Sequence, residues 1–269
     1  MIIDGSNPWQ DVYRDMLYWK FNGILPSSAI CSAVGFMEQA MKLQRGAKVL
    51  DLGCGLGAHS IELARRGYDV TGLEWSKAFL EVASREAEEA GVTLRLEKGD
   101  MISVAYEEQF DAVLLWGNTF GMFAHEDNLR TLSGMKRALK KGGLALIDTQ
   151  NYIGLPADLS QGWSFDDDDP NILTLTTGTK DVENARFGFD VIVIDITTGK
   201  RHRMPFSWRL YLLPELLTIV GDAGLTVLGV YGDDPAKVDW KTFQRGDPYP
   251  YATEGFTDKA AKRILLCQG

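Results

Sequence analysis

The apolar positions of this chain keep one rhythm up to Asn151 and lose it afterwards. From Lys48 to Asn151, short apolar runs alternate with stretches whose apolar residues recur every three or four positions. The first pattern reads as buried strand and the second as helix. Lys48-Val-Leu-Asp-Leu-Gly53 is the first strand. Ala58 to Arg66 follows as a helix stopped by Gly67, because glycine accepts the left-handed conformation that closes a helix. Val70 to Glu74 is the second strand, and Ser76 caps a helix that runs to Gly91. Leu94 to Asp100 and Phe110 to Trp116 are the third and fourth strands. Leu129, Leu132, Met135 and Leu139 mark a further helix, whose Lys140-Lys141 end suits its dipole. Leu144 to Asp148 is strand five. Strands alternating with helices predict a parallel α/β sheet.

From Asn151 to the helix predicted at Pro214, no such alternation exists. A structureless loop of that length is uncommon in a compact domain, so the segment should carry its own structure. Asp190 to Thr197 and Arg203 to Leu212 read as antiparallel strands joined at Thr198-Gly199, covering one end of the main sheet. Thr226 to Tyr231 and Arg263 to Cys267 supply the last two strands. Trp9 to Leu43 reads as mostly helical, broken near Gly23 to Pro26. The predicted organisation is a helical cap over 1–45, a cofactor-binding core over 46–151, a β-rich substrate-side insertion over 152–212, and completion of the core sheet over 213–269.

Composition narrows the partners. Of 269 residues, 45% are hydrophobic and 24% charged, a globular profile. The net charge of −9 disfavours polyanions, because neutralising phosphates takes clustered Lys and Arg. No nucleic-acid partner is expected. No apolar run is long enough to span a membrane, and the N-terminus lacks the basic and apolar regions of a secretory leader. Cys31, Cys54 and Cys267 are odd in number and far apart, so neither a disulfide framework nor a metal site is expected. The expected setting is the cytoplasm.

Chemistry concentrates after the first strand, at Asp51-Leu-Gly53-Cys-Gly55-Leu-Gly57. Glycines there permit a tight turn and let backbone approach a ligand with no Cβ in the way. The pattern alone does not say which nucleotide-like ligand binds. Asp51 discriminates: a carboxylate there opposes a pyrophosphate and suits an ammonium or sulfonium. Glu74, ending strand two, suits the paired hydroxyls of a ribose, and Asp100, ending strand three, can accept from an adenine amino group.

The ordered set VLDLGCGLG, VTGLEWS, KGDM, FDAVLLWGN and LKKGGLALIDT resembles the class I S-adenosylmethionine-dependent methyltransferases. The likeness runs from about Val49 to Tyr231 and is strongest to Asn151. It implies a Rossmann-like three-layer sandwich with a mostly parallel seven-stranded sheet, the last strand antiparallel, and an antiparallel β insertion after strand five. It implies S-adenosylmethionine as cofactor. Gly53, Gly55 and Gly57 would lie beside its methionine and ribose parts, Asp51 would order its amino end, and Glu74 would hold the ribose. Trp75 would pack on the adenine, Asp100 and Met101 would read its edge, and Trp116 with Gly117 would close over the methionine portion. HSIELARRGYDVTGLEWS, GNTFGMF and SWRLYLLPELLTIVGDAGLTVLGVYGD are similar to bacterial small-molecule methyltransferases. That group joins its last two strands by a short hairpin; residues 233–262 here include Trp240, Phe243, Tyr249, Tyr251 and Phe256, readable as a lid or a dimer contact.

On the acceptor side, Asn118, Phe120 and Met122 occupy the loop where donor and acceptor should meet, and Arg209 and Tyr211 lie on the inserted strand. His125 stands at a helix start near that loop, with an ordinary pKa of about 6.5 that suits a general base. Each has a plain alternative: His125 as a helix-start residue, Phe123 as core, His59 as a helix-surface residue. Cys54 reads as a small filler beside glycines. The basic group Lys200 to Arg203 reads as a solvated edge, and Asp166 to Asp169 as a solvated run. The expected reaction is methyl transfer to O or N of a small molecule by a monomer or homodimer. A nicotinamide-dependent oxidoreductase or a non-catalytic cofactor-binding domain would use the same glycine turn.

Overall fold

The computed structural model describes residues 25–151, 161–165, 169–233, 251 and 262–269. The predicted helix over Trp9 to Asn22, the run Asp166 to Asp168, and Trp240, Phe243, Tyr249 and Phe256 lie outside them. Helix α1 (Ser27–Met41) precedes strand β1 (Lys48–Leu52), α2 (Ala58–Arg65), β2 (Asp69–Glu74), α3 (Lys77–Glu89) and β3 (Arg95–Lys98). A single 3-10 turn, Met101–Ser103, leads to β4 (Phe110–Leu115), α4 (His125–Ala138) and β5 (Leu139–Gln150). Four strands follow: β6 (Gln161–Phe165), β7 (Ile172–Asp181), β8 (Arg186–Asp195) and β9 (Arg201–Arg209). Helix α5 (Leu213–Asp222), β10 (Thr226–Gly232) and β11 (Lys262–Gln268) complete the chain.

The main sheet has the order β10-β11-β5-β4-β1-β2-β3, and β11 alone runs antiparallel to its neighbours, β5 and β10. The predicted α/β sheet with an antiparallel last strand is the one observed. Side-chain alternation along each strand fills two cores. On one face Val49, Val70, Leu114, Leu146 and Ile264 pack against Phe36 and Met37 of α1 and Leu63 of α2. On the other, Leu50, Val113, Leu115, Ile147 and Leu265 pack against Leu132 and Met135 of α4 and Leu216 and Ile219 of α5.

One helix end and the strand count of the insertion differ from those predicted. Helix α4 stops at Ala138, and Leu139 already pairs with Phe110. The last helix carbonyls, Arg137 O and Ala138 O, accept from Glu108 N and Gln109 N at 2.8 and 2.9 Å, so the chain passes into the sheet instead of continuing the helix. The insertion also holds two strands the pattern did not reveal, β6 and β7, so its sheet has four strands in the order β6-β7-β8-β9. The turn at Thr198-Gly199 is present, built on Asp195, whose carboxylate accepts from Thr197 N, Thr198 N and Thr198 Oγ1. The inserted sheet is fastened to the loop after β4: Arg209 N donates to Gly121 O at 2.7 Å. A Cβ on Gly121 would stand 2.6 Å from Arg209 O, so this approach needs glycine. Arg186 reinforces it, reaching Met122 O and Phe123 O at 3.4 Å each.

Candidate active site

The carboxyl ends of β1, β2, β4 and β5 converge on the glycine turn. Gly53, Gly55 and Gly57 all hold positive φ, of 70°, 58° and 79°, a conformation that costs little only without a Cβ. Gly53 N donates to Leu73 O at 2.8 Å, tying the turn to β2. Gly57 stands so close to α3 that a Cβ would lie 2.9 Å from Ala83 Cβ.

Two carboxylates organise this turn. Glu74 is buried and accepts from Gly55 N at 3.0 Å and from Ser76 N at 2.9 Å. Its two oxygens therefore join the glycine turn to the start of α3, which Ser76 caps through Phe79 N. Burial pushes the Glu74 carboxyl above its ordinary range, and those backbone donors pull it back. Asp51 is buried, accepts from Ser60 Oγ at 2.6 Å, and is pushed up by burial to about 6. Burial likewise raises the Cys54 thiol well above its usual value, with Asp51 and Glu74 adding to it. Cys54 is thus a poor thiolate, in keeping with a filler; its Sγ would meet a Cβ on Gly72 at 2.7 Å.

The other predicted cofactor residues surround the same turn. Trp75 is half-buried beside Ser76. Asp100 caps the 3-10 turn by accepting from Ile102 N at 2.9 Å. Met101 leans over the glycines: its Cε would lie 2.9 Å from a Cβ on Gly53, and Thr119 Cγ2 3.5 Å. Gly117 has φ of 80°, and a Cβ there would meet nothing within 4 Å. Trp116 is buried on the α1 face, its ring 6.1 Å from Phe36, 5.7 Å from Tyr251 and 6.5 Å edge-on from His59.

Three residues that the sequence did not single out belong to this edge. Asp148, fully buried at the end of β5, accepts from Gly117 N (3.2 Å) and Asn118 N (3.1 Å). Lys262 of β11 adds an ion pair of 2.9 Å to the same oxygen. Asp233 accepts from Lys262 N at 2.8 Å. A carboxylate closing the otherwise apolar run Leu144 to Asp148 was the available signal. Its partners lie too far along the sequence for spacing to show. Asn118, whose φ is 62°, is held in the left-handed turn by Asp148. His59 is half-buried in the first turn of α2. Burial and Lys262 hold its imidazole down to about 4, against a smaller opposing pull from Asp148, so it is neutral at pH 7.

The remaining acceptor-side candidates gather elsewhere. Phe120 and Met122 are buried, and Phe120 packs 5.4 Å from the Tyr211 ring. Tyr211 is itself buried, its hydroxyl accepting from Asn128 Nδ2 at 3.1 Å. His125, exposed at the start of α4, lies 3.3 Å from that hydroxyl through Nδ1. It opens on a cavity of about 370 Å³ with Ile102, Leu129 and Arg137. Arg209 donates to Leu210 O at 2.6 Å and to Glu215 at 3.2 Å, and sits 5.0 Å over the Tyr211 ring. These residues form one network on the α4 face, apart from the glycine turn. A second cavity, of about 260 Å³, lies at the strand amino ends between Lys48, Asp69, Arg95 and Lys140, far from this chemistry.

Residues 49–143 match the methyltransferase domain family. A glycine/sarcosine N-methyltransferase from Aphanothece halophytica is 32% identical over 154 residues, 56% of this chain and 58% of that protein. The chain thus covers less than two thirds of that relative. Among solved structures, the CcbJ methyltransferase from Streptomyces caelestis has a TM-score of 0.74 at 17% identity, covering 96% of this chain and 98% of that one. CalS10 with S-adenosylmethionine bound, an amino pentose methyltransferase from Micromonospora echinaspora, has a TM-score of 0.63 at 18% identity, over 94% of each chain. At these identities the two structures speak to the fold.

Proposed function

We propose that this chain, whose residues 49–143 are a class I S-adenosylmethionine-dependent methyltransferase domain, transfers the cofactor's methyl group to a nitrogen or oxygen of a small molecule. The carrying observation is a glycine turn in three left-handed steps, flanked by buried Asp51 and Glu74. A pyrophosphate would meet two carboxylates there, whereas a ligand with a sulfonium, an ammonium and ribose hydroxyls meets complementary groups. The site fits such a ligand in shape as well, since Gly117 leaves backbone open to approach.

The cofactor supplies a methyl carbon on a good leaving group: the acceptor lone pair forms the new bond as the C–S bond breaks, its electrons stay on sulfur, and the acceptor's surplus proton leaves to water. The chain's contribution is alignment and exclusion of water, worth about 7–11 kcal/mol when reactants are well oriented. In this reading Glu74 accepts from the ribose hydroxyls while its backbone donors keep it aimed. Asp51 takes the amino end, Trp75 covers the adenine, and Asp100 with Met101 meets its edge. Asp148 fixes the Gly117-Asn118 turn that faces the transferring methyl. A general base is needed only for an acceptor that keeps its proton at neutral pH; His125, expected in that role, lies instead on the α4 face against the Tyr211 hydroxyl. The named activities of an N-methyltransferase relative and an amino pentose methyltransferase neighbour support a small-molecule acceptor. The charge of −9 supports one that is neutral or cationic.

Calorimetric titration tests the reading. Micromolar binding of S-adenosylmethionine and S-adenosylhomocysteine, with no NAD(H) binding, is expected. Binding of NAD(H) without either adenosyl ligand would replace this reading with a nicotinamide enzyme.

A further inference from the structure

Resting on the methyltransferase reading, we propose that the acceptor is an amine, and that Asp148 and Asn118 hold its nitrogen in a subsite on the α1–α2 face beside Trp116 and Tyr251. Three buried acceptor atoms at this edge have no hydrogen-bond partner among the described residues. Asp148 takes Gly117 N, Asn118 N and Lys262 Nζ on one oxygen, Oδ2, while its buried Oδ1 has no partner among the described residues. Asn118 Oδ1 and Asp233 Oδ2 are buried and unpartnered in the same way. A buried acceptor with no donor is costly, and native sites rarely keep one without a reason. All three atoms here are acceptors, so a molecule that satisfies them must bring hydrogens. A carboxylate brings none and an alcohol one. An ammonium brings three, and after losing one proton the neutral amine still brings two on an atom whose lone pair is a nucleophile. The other orphan atoms, Trp208 Nε1 and Arg263 Nε, are donors; they belong to the inserted sheet and to the opposite face of the main sheet.

Charge points the same way. Two carboxylates lie beside Lys262: Asp148 meets its ammonium, whereas Asp233 accepts from its backbone N–H and has no share in that charge pair. His59, which faces Lys262 and Asp148, is neutral at pH 7 and adds no second cation. The Trp116 and Tyr251 rings, 5.7 Å apart, give the subsite the aromatic surfaces that favour a cation. Strand alternation explains why these groups meet. Asp51, Asp148 and Lys262 keep the same parity as Val49, Leu146 and Ile264, which face α1 and α2. Nothing comparable is open at the Tyr211 cluster, where Asn128 occupies the hydroxyl and Leu210 O and Glu215 occupy Arg209.

The test compares three ligands by calorimetry at pH 7. S-adenosylhomocysteine has no charge at the transfer position, and S-adenosylmethionine has a cation without N–H donors. The analogue sinefungin places a C–NH₃⁺ group there. Wild-type protein should bind sinefungin at least tenfold more tightly than S-adenosylmethionine. In Asn118→Gly, which keeps the left-handed turn and removes only the amide, that ratio should fall below threefold. Asp148→Asn should reduce it similarly, with circular dichroism checking that it folds; if it does not, Asn118→Gly carries the test alone. Equal affinity of wild-type protein for sinefungin and S-adenosylmethionine would overturn the amine subsite and leave the methyltransferase reading intact. So would a preference that survives in Asn118→Gly. Absence of binding for all three ligands would overturn both.

Discussion

Two polar clusters sit at the same edge of the main sheet, on opposite faces, and they differ in what is left open. Around Tyr211, side chains answer one another: Asn128 donates to its hydroxyl and to Phe123 O, Arg209 joins Leu210 O to Glu215, and Arg186 binds Ser207 and the loop after β4. That cluster fastens the inserted sheet to the core. Around Asp51, Glu74 and Asp148, carboxylates outnumber cations among the described residues, and acceptors there remain unmatched. A closed buried network specifies structure, and an open one of single sign calls for a ligand of the opposite kind. In the proposed reading the α1–α2 face is the chemical one and the α4 face the structural one.

The largest effect expected from this contrast falls on Glu74. Glu74→Ala removes a carboxylate that ties Gly55 to Ser76 and that, in the proposed reading, receives the ribose. Charge-assisted bonds of this kind are worth about 1.5–3 kcal/mol, so S-adenosylmethionine affinity should fall at least tenfold by calorimetry. An unchanged affinity would place the ribose elsewhere.

Next comes pH. Asp51 sits near 6 in the fold against an ordinary 3.8, so it must lose a proton to meet a cationic ligand. Only the ionised form binding, S-adenosylmethionine affinity should drop about tenfold from pH 7 to pH 5, and Asp51→Asn should abolish the dependence. Stability of the ligand-free protein follows a different course. A carboxyl with a raised folded pKa loses stability as pH climbs from about 4 to about 6. His59, lowered from 6.5 to about 4, contributes stability above 6.5 that is lost as pH falls towards 4. The two oppose in that window. Denaturation of His59→Gln should therefore show stability falling more clearly as pH rises through it than wild type does.

The smallest effect belongs to the structural cluster. Tyr211→Phe removes the acceptor of the Asn128 amide and should cost about 1 kcal/mol in urea denaturation. Cofactor affinity should move less than twofold. A larger loss of affinity than of stability would break the assignment of the two faces.

Much of the core was legible because its chemistry is local. The strand, glycine turn and helix from Lys48 to Arg66 follow from apolar period and from residues that need positive φ, and Glu74 ends a strand whose reading needs no partner. The Thr-rich strand Ile172–Asp181 escaped because one of its faces lacks a continuous apolar row. Arg209 and Tyr211 were placed on the inserted strand without knowledge of which face they serve; the Gly121–Arg209 contact decides that, and it joins residues far apart in sequence. Asp148 shows the same limit most sharply. Its meaning comes from Gly117, Asn118 and Lys262, which only the folded sheet assembles.

Methyl transfer on the open face can be followed by isotope labelling. Protein incubated with S-adenosylmethionine carrying a ¹³C-methyl group and a metabolite extract should produce a new N-methyl signal in ¹³C–¹H correlation spectra. The signal should require the protein and weaken with Glu74→Ala. Label passing only into O-methyl signals would contradict the amine assignment. Label that stays on the cofactor, although S-adenosylhomocysteine binds, would contradict catalysis itself.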